Sequence, residues 1–420
     1  MTKSRSTRRS FLKRAGVLAA APLVVTPQLL GLGGKSAPSE RVRIGFIGSG
    51  HRARLLMSQT PEAGEIVAIC DVDLRRCADA LKEKKAKWRV YQDYRELLDQ
   101  RDIDAVIVPT TDHGRVLPCV HSCQAGKDIY AEKPLSLTVH EGRVLVNAVR
   151  RYERVFQTGT QQRSMEFNRF ACEFVRSGGL GKLRSVMGVN YTSPRVYDAF
   201  PEQPIPKELN WDMWCAQTPL KPYNTRLQNG WMSCVDYSGG QMTNWGAHGI
   251  DQIQWALGMD KTGPTEFWTE GEGAHAPVSF RYANGIEVRL ELKKYPMGGA
   301  IFIGDKGRIE IDRNRFKVVP EELVEQPPPT QKAEIWEGPG WQAKYHIGDW
   351  LECIKTRRIP VADVEIGHRS VSVCHIANIV RQVGRKLRWD PEREVFLGDD
   401  DANGLLDRPR RNGYELPDPV

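Results

Sequence analysis

The sequence predicts an α/β chain: a Rossmann-type doubly wound parallel sheet, followed by an α+β domain with a large, mostly antiparallel sheet. Three observations predict it. The first half alternates short apolar runs with helix-like periodicity, the order that builds a parallel sheet covered by helices. The first of those runs ends in Gly48-Ser49-Gly50-His51-Arg52-Ala53, which fits Gly-x-Gly-x-x-Gly/Ala between a strand and a helix. Beyond Gly179-Leu180-Gly181 the pattern changes to paired strand-like runs around tight turns, as antiparallel sheet requires.

Taken in order, the apolar runs of the first half are Val42–Ile47, Ile66–Cys70 ending in Asp71, Asp104–Pro109, Asp128–Ala131 ending in Glu132-Lys133-Pro134, and Val155–Thr158. One intervening helix opens at Thr138 with Glu141 three residues on, a capping-box spacing. In the second half Val278–Tyr282 and Ile286–Leu292 flank Ala283-Asn284-Gly285, and Ala300–Ile303 and Arg308–Ile311 flank Asp305-Lys306-Gly307. Helices are predicted over His248–Leu257 and Ile347–Thr356, and a loop over Gln326–Thr330. The resulting division is a signal and linker over 1–38, a dinucleotide-binding domain over 39–162, and a substrate-binding and oligomerisation domain over 163–420.

The N-terminal stretch Thr7-Arg8-Arg9-Ser10-Phe11-Leu12-Lys13 reads as a twin-arginine export signal ahead of an apolar run from Ala15 to Leu32. That run contains Gly16, Pro22 and Pro27 and is less apolar than a typical membrane span. The twin-arginine route carries folded proteins. A nicotinamide cofactor therefore crosses only if already bound, which predicts a tightly held cofactor, a periplasmic or otherwise exported enzyme, and the export machinery as a partner.

The formal net charge of +8 suggests nucleic acid until its location is seen. Lys3, Arg5, Arg8, Arg9, Lys13 and Arg14 all precede any acidic residue. The rest of the chain is nearly neutral and lacks the electrostatic footprint of a phosphate-backbone binder. Nine cysteines without a Cys-x-x-Cys read as buried thiols rather than a disulfide framework. Nine histidines without metal-ligand spacing predict no metal.

In the glycine motif, Gly48 makes the tight turn, Gly50 lets the backbone approach a pyrophosphate, and position 53 must be small for helix–strand packing. Backbone N–H groups around Ser49, His51 and Arg52 then face the phosphates. Asp71 closes the second strand about 20 residues beyond Gly50, where a carboxylate holds ribose hydroxyls. Asp71 repels a 2′-phosphate, so the reading is NAD. NADP is the alternative, through Arg75 and Arg76.

At Glu132-Lys133-Pro134 the chain resembles the glucose–fructose oxidoreductase / inositol dehydrogenase (Gfo/Idh/MocA) family, and the resemblance extends from Val42 onward. Ile107-Val108-Pro109-Thr110-Thr111-Asp112-His113 resembles the family's loop after the fourth strand. Gly239-Gly240 followed by Asn244-x-x-x-His248-x-x-Asp251 resembles its second catalytic motif. Asn210-Trp211-Asp212-Met213-Trp214 and Gly367-His368-Arg369 resemble a branch with twin-arginine signals. The resemblance implies that Lys133, at the tip of the fifth strand, reaches substrate and nicotinamide. It implies that Thr110, His113 and Glu132 line the nicotinamide pocket, and that His248 is the partner acid or base or holds the sugar. Arg163 and Tyr237 are implied as sugar contacts; Tyr191 and Arg226 are candidates by residue type.

Where the family usually carries an aspartate, this chain has Asn244. It either orients His248 without supplying charge, leaving His248 a weaker base and Lys133 more of the proton transfer, or caps the helix carrying His248. The tryptophans 211, 214, 231 and 245 lie between the motifs, and some are expected in the cleft. The expected activity is NAD(P)-dependent dehydrogenation at a sugar or glycoside hydroxyl by a homo-oligomer, a dimer or tetramer. The alternatives are an NAD-dependent glycoside hydrolase using transient oxidation, and a non-catalytic sugar-binding module.

Overall fold

In the computed structural model, residues 40–197, 199–313, 315–325 and 343–417 are described. The twin-arginine stretch, the apolar run behind it and the Gln326–Thr330 loop lie outside them. From Val42 onward two sheets organise the chain. Strands β1 (Val42–Ile47), β2 (Gly64–Cys70), β3 (Arg89–Tyr91), β4 (Ala105–Val108), β5 (Asp128–Ala131) and β6 (Phe156–Thr158) form an all-parallel sheet in the order β3-β2-β1-β4-β5-β6. This is the doubly wound order, and its direction reverses between β1 and β4, where such sheets bind ligands at their carboxyl ends. The central strands β4 and β5 are buried at every position, as strands covered on both faces must be.

The sequence reading found five of these strands. The sixth, β3, is three residues long at the sheet edge, and Arg-Val-Tyr is too short to carry a period. The helix Val139–Arg151 starts as predicted, with Thr138 Oγ1 accepting from the Glu141 N–H at 3.1 Å. The reciprocal bond is displaced by one residue: Glu141 Oε2 accepts from the Leu137 N–H at 2.9 Å.

The second sheet holds β7 (Leu183–Val189), β8 (Glu266–Thr269), β9 (Val278–Arg281), β10 (Glu287–Leu292), β11 (Ala300–Gly304), β12 (Arg308–Asp312), β13 (Arg315–Val319), β14 (Leu387–Asp390) and β15 (Val395–Phe396). Their order is β13-β12-β11-β7-β10-β9-β8-β14-β15, antiparallel except for the β7–β10 pair. Both predicted hairpins are present as β9–β10 and β11–β12. Helices Glu166–Arg176, Gly246–Leu257 and Val364–Val383 cover one face, their apolar residues joined with those of the sheet in one core.

Helix Lys344–Thr356 returns to the first sheet, where Ile347, Trp350 and Leu351 share a core with Ile44, Phe46 and Ile107. Val364 and Val371 join the core on the same sheet's other side. All nine cysteines are buried free thiols spread through both halves. Among the described residues no helix is long and apolar enough to cross a membrane.

Candidate active site

The carboxyl ends of β1, β2, β4 and β5 open into a cleft of about 750 Å³. Gly48 leaves β1 with φ +104°, and a Cβ there would stand 3.3 Å from the Thr110 N; a side chain is both strained and crowded. Gly50 precedes the helix His51–Gln59, whose first turn has no side-chain cap. Its leading N–H groups are left for an anion. Beside this turn, Asp71 Oδ2 accepts from the Ser49 N–H (2.8 Å) and hydroxyl (3.2 Å), and Oδ1 accepts from the Asp73 N–H (2.9 Å). Burial raises its pKa. This cradle of glycine turn, uncapped helix and fixed carboxylate fits a dinucleotide.

Of the two arginines considered for a 2′-phosphate, Arg75 is held on Asp73 through Nε (2.8 Å) and Nη2 (2.7 Å), whereas Arg76 lines the cleft. The Arg52 side chain turns to Glu132, donating from Nε at 2.8 Å. Arg52 and Glu132 therefore line the cleft as an ion pair.

At the other end, Lys133 leaves the tip of β5. Its Nζ donates to Asn244 Oδ1 at 2.7 Å and to the Asn244 carbonyl at 3.1 Å. Burial lowers the lysine pKa to about 8, against the pull of Glu132 and Asp112. Asn244 thus serves the lysine and not the histidine, and it does not cap the helix Gly246–Leu257, whose N-cap is Trp245. Asn244 Nδ2 donates to Gln241 Oε1 at 3.0 Å, which turns the amide oxygen toward Lys133. The helix Gly240–Asn244 can start only at a glycine: Gly240 has φ +72°, and a Cβ would lie 2.5 Å from the Pro194 N.

His248 lines the same cleft, 4% exposed. Burial and then the charge of Lys133 hold its pKa well below the usual histidine value, so the ring is neutral. Its Nδ1 finds no hydrogen-bond partner among the described residues.

Thr110 and His113 flank the cleft from the loop after β4. The His113 ring is buried, with Nε2 2.7 Å from the Trp214 carbonyl. That acceptor requires the Nε2–H tautomer, and burial pushes the pKa down to about 4. Arg115, which the sequence reading passed over, donates to the carbonyls of Thr110 and Pro134 and ties the β4 loop to the lysine loop. Arg313 lines the lysine end, stacked 5.1 Å from the Trp245 ring. It reaches the cleft from the end of β12, and nothing in its local sequence signals this. Of the four tryptophans, 214, 231 and 245 line the cleft, while Trp211 stacks behind Trp214 at 4.4 Å.

Four expected sugar contacts lie elsewhere. Arg163 is 5% exposed and points away from the cleft, donating to Asp251 Oδ2 (2.8 Å) and Asp260 Oδ1 (2.6 Å); two carboxylates outcompete a neutral sugar for its guanidinium. Tyr237 is fully buried behind the cleft wall, packed on His113 and Trp214. The Tyr191 hydroxyl accepts from the Gly298 N–H at 3.1 Å. Arg226 covers the Phe200 ring at 5.3 Å.

Comparison with known proteins agrees with this geometry. The chain matches the profile "Oxidoreductase family, NAD-binding Rossmann fold" over residues 42–160 and "Oxidoreductase family, C-terminal alpha/beta domain" over residues 187–416. It is 28% identical over 169 residues to an inositol 2-dehydrogenase of Salmonella typhimurium, covering 40% of this chain and 48% of that one. It is 30% identical over 204 residues to a glycosyl hydrolase family 109 protein of a Shewanella species, covering 42% and 44%. The matched stretches thus span under half the length of these relatives. The crystal structure of an aldose-aldose oxidoreductase from Caulobacter crescentus superposes with a TM-score of 0.58 at 17% identity, covering 83% of this chain and 99% of that one. With both domains matched in order, and the glycine turn and strand-tip lysine sharing one cleft, this chain belongs to the Gfo/Idh/MocA oxidoreductase family.

Proposed function

We propose that the protein is an NAD-dependent oxidoreductase acting on a secondary hydroxyl of a sugar or glycoside, with Lys133 as its acid/base. The carrying observation is the Lys133 ammonium, set in the cleft on a neutral amide oxygen with its pKa lowered to about 8. A lysine in that range exchanges a proton near neutral pH. Bound nicotinamide supplies the acceptor for the hydride. Neutral Lys133 takes the hydroxyl proton, and Asn244 stabilises the resulting ammonium by hydrogen bonding. Neutral His248, on the cleft wall, holds a second hydroxyl, and Asp71 takes the ribose hydroxyls. Trp214, Trp231 and Trp245 offer faces for a sugar ring.

The twin-arginine stretch supports an exported, periplasmic location, where no pool of free nicotinamide is at hand and the cofactor stays bound through turnover. The second sheet's outer face supports a homo-oligomer, dimer or tetramer. It carries Glu287, Arg289 and Glu291 along β10 and, in the row of Arg289, Met187 and Ile301, so its contacts would mix charged and apolar groups. A hydrolytic reading draws on the likeness to the family 109 glycosyl hydrolase. In it the same lysine serves oxidation at a ring carbon, loss of the glycosidic substituent, and return of the carbon to its alcohol state.

Denaturing the purified protein and assaying the supernatant is expected to yield NAD(H) rather than NADP(H). Offering 3-keto sugars and aryl glycosides then separates the readings. Change in nicotinamide absorbance without aglycone release marks net redox chemistry, whereas aglycone release marks hydrolysis. A folded protein that holds no nicotinamide dinucleotide and takes none up overturns both.

Asn244→Asp would place a carboxylate oxygen where an amide oxygen now stands 2.7 Å from Lys133 Nζ. The opposite charge raises the lysine pKa. Neutral lysine is the proton acceptor in oxidation, so the rising limb of kcat/KM should move to higher pH by about one unit or more. An unchanged profile would mean that the titrating base is not Lys133.

A further inference from the structure

The segment 407–416 runs back across the Rossmann half and delivers one side chain, Tyr414, to the wall of the cleft. Its placement can be followed bond by bond from Asp71. The next residue, Val72, accepts through its carbonyl from the Asn210 N–H at 2.8 Å. Asn210 caps the short helix Trp211–Cys215. Asp212 in that helix accepts from the Tyr414 hydroxyl at 2.6 Å. Tyr414 therefore stands at the Asp71 end of the cleft, opposite the lysine end. Tyr94, just beyond β3, lines that same end with Gln92 and Pro118.

The tyrosine is held from several sides. Arg411 lies over its ring at 4.9 Å and pairs with Asp212 at 2.6 Å. The Arg411 N–H donates to the Gln217 carbonyl at 3.1 Å. Arg410 is tied to the buried Glu141 at 2.7 Å, and Leu416 packs on the Rossmann core. An aromatic ring fixed this firmly at a cleft rim, in a cleft that a second tyrosine also lines, forms a platform suited to a purine.

We propose that Tyr414 is a cofactor-binding residue whose ring closes the adenosine end of the cleft and slows departure of bound dinucleotide. This rests on the NAD-dependent reading above. It gives one chain segment, remote from both family motifs, the task of cofactor retention that an exported enzyme needs.

The test compares full-length native protein with Tyr414→Ala and Tyr414→Phe. It reads the NAD(H) retained after gel filtration and the rate at which bound NAD exchanges with labelled NAD. Loss of a stacked ring should speed exchange in Tyr414→Ala by about 10-fold. Tyr414→Phe keeps the ring and should stay within about threefold of the native rate. Circular dichroism of each variant reports the fold. Native exchange in Tyr414→Ala, or a phenylalanine variant as fast as the alanine one, overturns the assignment while leaving the NAD reading intact. A native protein that neither holds nor takes up NAD overturns the reading and the assignment with it.

Discussion

Lys133→Met is expected to lower turnover of a sugar or glycoside substrate by a factor of about 10² to 10⁴ while the purified protein keeps its NAD. The thioether fills nearly the same space but accepts no proton. The loss should fall on kcat more than KM, since the lysine accepts its proton only as the reaction proceeds and not in the bound ground state. It should also remove the pH dependence near 8 that the lowered lysine pKa implies. Cofactor retention separates this from collapse of the cleft, because Gly48, Asp71 and the uncapped helix start are untouched. Unchanged turnover would exclude Lys133 as the acid/base.

The second large effect is on stability. Arg163→Met removes the cation from Asp251, which is 1% exposed, and from Asp260. Breaking a buried pair from one side costs about 3–5 kcal/mol, because the remaining Asp251 carboxylate stays buried with the Ser370 hydroxyl but no cation on it. Burial already raises the Asp251 pKa, and loss of Arg163 raises it further. A carboxyl whose folded pKa exceeds its unfolded value contributes stability below the unfolded value and loses it as pH rises through the folded one. The variant's deficit should therefore narrow as pH falls toward about 4. Denaturant unfolding at two pH values checks this. Near-native stability with a raised substrate KM would instead restore Arg163 as a sugar contact.

Arg163 also shows where sequence reading stops. Its presence was legible by resemblance, but which way a side chain points depends on what the fold brings beside it. Asp251 is 88 positions away. The glycine turn, Asp71 and Lys133 were legible for the opposite reason. Each sits at the end of its own apolar run, and a strand end in a parallel sheet is already a place in the cleft.

Asn244 is legible in the sequence as a departure from the family's aspartate, but its partner is not. Four residues along one helical stretch suggested His248, whereas the bond it makes, to Lys133, spans 111 positions. Arg115, Arg313 and Tyr414 belong with Asn244. They act across the fold, and no local pattern marks them. The hairpins of the second sheet are legible because turn and alternation lie within one short stretch, Val278–Leu292 or Ala300–Asp312; β3 is not, because three edge residues carry too little burial to impose a pattern.

The buried thiols have a consequence for how the molecule can be followed in solution. Burial raises the pKa of Cys70 and Cys172 well above the ordinary thiol value, and that of Cys119 and Cys353 to about 12. Alkylation needs a thiolate and access, and the native state denies both. Each cysteine is thus a silent clock that starts only when its neighbourhood opens. Mass-resolved labelling would time opening separately at Cys70, Cys119, Cys172 and Cys353, and would show whether occupancy of the dinucleotide cleft slows the first two before the others.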